Sequence, residues 1–120
     1  MPTGGCIVIV EPDDLIRELL ERWLGEAGYQ CVLVTKDHVL PMVKTRLVIT
    51  DISEPDSARN TIGALQAAYA SPILALSGRF RRGLGGSSEP AQRLRVANVL
   101  PKPFTRQQLL RAVRETLKGT

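Results

Sequence analysis

The 120-residue chain has no long apolar run. None approaches the ~20 residues that a membrane-spanning helix needs. Its start, Met1-Pro2-Thr3-Gly4-Gly5, shows no basic segment followed by an apolar stretch, which argues against a secretory signal. Cysteine is scarce. Cys6 and Cys31 open the first two apolar runs, stand too far apart for a metal motif, and read as inert, buried strand thiols. The one histidine, His38, stands among non-ligands and reads as a surface residue. There is no Gly-x-x-x-x-Gly-Lys-Ser/Thr phosphate loop, no internal repeat, no low-complexity tail and no linker to a second domain. What remains is the expectation of one cytoplasmic globular domain spanning residues 1–120, long enough for a full core.

Charge is unevenly spread. The net +4 divides into +8 on residues 79–120 and −4 on residues 1–78. A basic last part suggests a surface for an acidic partner, although a solvated basic face is the plainer reading of any single arginine.

Apolar runs and helical stripes alternate. Residues 6–10 read as a buried strand, continuous and rich in β-branched residues. Asp13 or Asp14 can cap a helix over 15–27, whose apolar stripe is Ile16, Leu19, Leu20, Trp23 and Ala27, with Arg17, Glu18, Glu21 and Arg22 toward water. Gly28 stops it, and residues 29–34 form a second strand. Pro41 limits residues 36–45 to a turn or two of helix. Residues 46–50 form the central strand, 53–56 a turn, and 58–70 a helix with Ile62, Leu65, Ala68 and Tyr69 inward. A strand at 73–76 leads into a basic, glycine-rich, flexible loop over 78–88 and a helix over 89–96. A strand at 99–100 and a helix over 105–118 end the chain, with Thr105 and Gln108 spaced as a capping box and Leu109, Leu110, Val113 and Leu117 inward. This βα alternation, five times over, predicts an α/β doubly wound parallel sheet with helices on both faces.

The strands end in polar residues. Ile7-Val8-Ile9-Val10 runs into Glu11 and Asp13, Leu47-Val48-Ile49-Thr50 into Asp51, Ile73-Leu74-Ala75-Leu76 into Ser77, and Val99-Leu100-Pro101 into Lys102. In a parallel sheet those ends line one crevice, where such folds bind ligands. Carboxylates there could hold a divalent cation, and the hydroxyl and ammonium an anion beside it.

This order of features resembles the response-regulator receiver family of two-component signalling. The resemblance covers essentially the whole chain. It rests on Val10-Glu11-Pro12-Asp13-Asp14-Leu15-Ile16-Arg17, on Asp51 followed by Pro55, on Ser77-Gly78, and most specifically on Lys102-Pro103-Phe104. It implies a flavodoxin-like (βα)5 fold with strand order 2-1-3-4-5. It implies Asp51 as phosphoacceptor, with a histidine kinase or phosphotransfer protein as donor, and Lys102 and Ser77 on the phosphoryl oxygens. It implies Mg²⁺ held by Glu11 or Asp13, Asp51 and the Ser53 carbonyl. No separate substrate would be turned over.

Three departures from the family stand out. Pro12 falls where a direct metal ligand belongs, so the Mg²⁺ site should be weak, because that ion demands near-ideal octahedral geometry. Val99 replaces the usual aromatic three residues before the lysine. The segment between the second and third strands is short. The main expectation is a switch in which phosphorylation of Asp51 changes partner binding at the basic face of the fourth helix, last strand and last helix, coloured by Arg79, Arg81, Arg82, Arg93 and Arg95. The alternative is a degenerate receiver that binds a partner without phosphorylation. A flavin or nucleotide binder is disfavoured, since Glu11-Pro12-Asp13-Asp14 would repel a phosphate. Direct nucleic-acid binding is disfavoured because the basic loop has one aromatic, Phe80, and no recognition helix follows.

Overall fold

The computed structural model describes residues 5–34, 40–52, 55–78 and 96–118, with residues 55–58 described by their backbone alone. The expectations for His38, Ser53, the 79–88 part of the glycine-rich loop, the helix over 89–95 and the arginines at 79, 81, 82, 93 and 95 lie outside the described residues. Five strands, β1 (Cys6–Val10), β2 (Cys31–Leu33), β3 (Thr45–Asp51), β4 (Ile73–Ser77) and β5 (Asn98–Pro101), pair in the order β2-β1-β3-β4-β5. All pairings are parallel. Among the described residues the helices are α1 (Asp14–Glu26), α2 (Pro55–Ala68) and α3 (Arg106–Lys118).

Parallel strands covered on both faces need apolar residues in unbroken runs, and alternate residues then feed two separate cores. Ile7, Ile9, Leu47, Ile49, Leu74 and Leu76 point to one face and pack with Leu20 and Leu24 of α1 and Leu109, Ala112 and Val113 of α3. Val8, Val48, Ile73, Ala75 and Val99 point to the other and pack with Ile62 and Leu65 of α2 and with Tyr69. Tyr69 lies just past α2, and its hydroxyl donates to the Pro41 carbonyl at 2.7 Å, which ties the irregular stretch before β3 to this second core.

The helix ends follow their capping residues. Asp13 accepts from the Ile16 N–H and caps α1. At the other end, Gly28 at φ 96° lets its own N–H reach the Gly25 carbonyl and the Tyr29 N–H reach the Leu24 carbonyl. This double closure occupies Tyr29, so β2 begins at Cys31 and is shorter than the expected 29–34. Thr105 and Gln108 exchange the two bonds of a capping box, and α3 starts at Arg106.

Several expectations are corrected. The turn read at 53–56 overlaps α2, which starts at Pro55, because proline suits the first turn of a helix, where its missing N–H is not needed. Residues 40–44 carry no helix, within the limit that Pro41 set for this segment. Leu24 is buried and Ala27 exposed, since the α1 stripe follows the (i, i+4) pair Leu20 and Leu24. Ala68 is exposed, while Tyr69 turns inward beyond the helix end. Arg17 is drawn off the solvent face by the Glu11 carbonyl and Asp14. Cys6 and Cys31 are half-buried, being at the starts of their strands; burial pushes the Cys31 thiol up to about 11, consistent with an unreactive thiol.

Ile49, fully buried in the middle of β3, should cost ~2–5 kcal/mol of unfolding free energy when cut to alanine. Leu15, 67% exposed, should change it by no more than about 0.5 kcal/mol. Urea unfolding of the two variants beside the parent measures both.

Candidate functional site

The strand order reverses direction between β1 and β3, so the crevice at that switch point opens between their carboxyl ends. Glu11 follows β1 and Asp51 ends β3. Ser77 ends β4, and Lys102 follows β5, whose end lies two strands, or about 10 Å, from β3. The Lys102 and Asp51 side chains close this gap between them. The Lys102 N–H donates to the Ser77 carbonyl at 2.8 Å, which fixes where its side chain sets out.

The Lys102 ammonium lies 2.7 Å from Asp51 Oδ1 and 2.9 Å from Glu11 Oε1. These side chains are 15%, 11% and 1% exposed, respectively. The contact to Asp51 is an aligned hydrogen bond. The contact to Glu11 is close, but Oε1 has no aligned hydrogen-bond partner although it is fully buried. Burial pulls the ammonium's pKa down; the hydrogen bond to Asp51 and the charge attraction of Glu11 and Asp51 outweigh it, and the net shift is upward. One positive charge against two carboxylates leaves the pocket a formal net negative charge.

The turn after β1 divides the acids among different tasks. Glu11 points into the crevice, and its Oε2 accepts from the Asp13 N–H at 3.0 Å. Pro12 is exposed and offers no donor oxygen from its side chain. The Asp13 carboxylate serves the α1 cap. Asp14 pairs with Arg17, which also donates to the Glu11 carbonyl at 3.0 Å. Of the residues singled out in sequence, Glu11, Asp51 and Lys102 therefore meet in one cluster. Ser77 is buried on the strand between Asp51 and Lys102, Asp13 stands apart as a helix cap, and Ser53 is outside the described residues. Among the described residues no group of three or more His, Cys, Asp or Glu side chains gathers around one point. The residue that sequence reading missed is Arg17. Its signal was its spacing, three residues after Asp14 on the same helical face.

The comparisons follow this geometry. No protein-family model matches the chain. A response regulator receiver protein from Burkholderia phymatum superposes with a TM-score of 0.74 at 22% identity, over 96% of each chain. A CheY-like receiver domain protein from Methanospirillum hungatei gives 0.75 at 18% identity, over 98% of this chain and 96% of that one. The chain thus has the fold of response-regulator receiver domains, as the resemblance of its motifs implied. In sequence it is 30% identical to the transcriptional regulatory protein GltR of Pseudomonas aeruginosa, over 96% of this chain. The chain spans about half the length of that relative. No helix among the described residues is long and apolar enough to cross a membrane.

Replacing Lys102 by methionine strands two facing carboxylates. The expected loss is about 3 kcal/mol at pH 7, the scale of breaking a buried ion pair. In the parent, the raised Lys102 pKa gives stability that is full below about pH 10.5, the unfolded-state value, and is lost as pH rises through the folded-state value. Urea unfolding of the variant at pH 7, and of the parent as the pH rises above about 10, measures both effects.

Proposed function

We propose that this chain is the receiver domain of a two-component response regulator, phosphorylated on Asp51. The observation that carries this reading is the Lys102 ammonium on Asp51 Oδ1 at 2.7 Å, at the switch point of a receiver-type sheet. Phosphoryl transfer demands little of the protein beyond positioning and charge neutralisation. An Asp51 oxygen attacks the phosphorus of a phosphohistidine on a kinase or phosphotransfer protein. The new O–P bond forms as the P–N bond breaks, and the imidazole leaves. Lys102 then turns its charge to the phosphoryl oxygens, and Ser77 donates to one of them. Pro12 and the exposed Leu15, both at the entry to α1, give the donor protein an apolar foothold. The phosphoryl group lodges on the chain's own residue and no separate substrate turns over.

The donor set suits Mg²⁺ only in part. Glu11 and Asp51 would hold it, with the Ser53 carbonyl assigned by resemblance, and the unaligned, buried Oε1 of Glu11 supports that use. The ion supplies neutralisation of the phosphoryl oxygens when bound. Pro12 contributes no oxygen, Asp13 serves its cap, and Lys102 already draws on both carboxylates, so affinity is low. The same facts favour a second reading, a receiver fold that binds partners without phosphorylation.

Asp51→Asn should abolish acid-labile phosphate incorporation from acetyl phosphate, read by intact mass. Incorporation in neither protein, even at high Mg²⁺, would favour the second reading; equal incorporation in both would displace Asp51. Pro12→Asp should tighten Mg²⁺ binding by about tenfold, followed through Trp23 fluorescence, on the scale of ~1.4 kcal/mol for one added ligand. Equal affinities would show that Glu11 and its neighbours already complete the site.

A further inference from the structure

A second concave feature lies at the far end of the fold. An open groove of about 510 Å³ is lined by Tyr29, Arg111, Arg114, Glu115, Leu117 and Lys118. Tyr29 precedes β2, so it sits at the starting end of the parallel strands, whereas the carboxylate pocket is at their finishing ends. The 13-residue α3 begins just after Lys102 and carries the chain roughly 20 Å down to Lys118.

We propose that this groove docks an acidic segment of a partner protein that carries one apolar side chain. Three cations face one carboxylate in the lining. A fourth, the Arg46 guanidinium, lies 5.4 Å over the Tyr29 ring, which brings further positive charge to the groove's edge. Two of the lining cations are arginines, whose planar forks pair with carboxylates in bidentate fashion. Tyr29 and Leu117 form an apolar floor between those charges, which suits an aliphatic or aromatic side chain flanked by acids. Glu115 argues against a nucleic-acid backbone: it would repel phosphates, yet it can accept from peptide N–H groups. The groove lies within the size range of sites that enclose a few side chains. Because it is remote from Asp51, docking there is independent of phosphorylation and does not rest on the phosphoacceptor reading.

The test is an amide-shift titration of the whole chain with a blocked pentapeptide of glutamate and aspartate around a central leucine. Expected are shifts at Tyr29, Arg114 and Leu117, weakening with salt, weaker binding when glycine replaces the leucine, and equal binding by Asp51→Asn. Arg111→Glu with Arg114→Glu should weaken peptide binding at least tenfold while the amide shifts of Glu11, Asp51 and Lys102 match the parent. If that double variant fails to fold, Lys118→Glu decides, and unchanged peptide affinity there overturns the proposal. Shifts gathered at Glu11 and Asp51, tighter binding of a short DNA duplex than of the peptide, or self-association mapped to the same residues would also overturn it, the last in favour of an interface between copies.

Discussion

A buried lysine between two carboxylates sets the terms for the rest of this domain. Lys102 can reach Asp51 only because β5 lies two strands from β3, with Ser77 beneath the span. It can reach Glu11 only because β1 pairs directly with β3. Four strands, β1, β3, β4 and β5, must therefore hold their register for one ammonium to have both partners. Desolvating a charge costs several kcal/mol, and attraction to well-placed counter-charges must offset it. Such a cost is a large part of the 5–15 kcal/mol by which domains are stable. The fully buried aliphatic layers on both sides of the sheet supply the rigidity that this geometry needs.

The turn after β1 shows how a local change redirects a site. Glu11 is one methylene longer than aspartate, which lets its carboxylate reach the lysine while Oε2 holds the Asp13 N–H. Asp13 is then placed to cap α1, and Arg17 grips the Glu11 carbonyl from the first turns of the same helix. Pro12 sits at the crest, exposed. The acids of this segment are thus split between pocket, cap and ion pair, although in sequence they read as one cluster. The two readings proposed for the site, a phosphoacceptor with weak metal binding and a phosphorylation-independent binding module, differ in whether Lys102 yields Asp51 to a phosphoryl group.

Much of the fold was legible in one dimension. Unbroken runs such as Ile7-Val8-Ile9-Val10 marked strands buried on both faces, and Thr105 with Gln108 marked the start of α3 through a purely local pair of bonds. The misreadings cluster where a local signal has two outcomes. Pro55 serves a turn or the first turn of a helix equally well. Tyr29 looks like a strand residue by composition, but Gly28 enlists its N–H to finish α1. Ala27 and Leu24 stand within one turn of each other, and only packing against the sheet chooses between them.

By itself the sequence determined which residues end the strands, because runs of apolar β-branched residues stop where the chain leaves the core, and polar groups tolerate that boundary. It also determined that acids, a hydroxyl and a lysine would share the carboxyl edge of the sheet once the strands ran parallel. Only the tertiary structure decided which of them touch. Glu11 and Asp51 are forty residues apart and Lys102 a further fifty-one from Asp51. Their meeting depends on strand order and register, which are long-range packing choices. The same holds for Arg46 over Tyr29 at the opposite end, where β3 and the close of α1 converge. Local patterns report what each residue prefers, whereas the distances that create a charge pocket or a basic groove are set by how the layers stack.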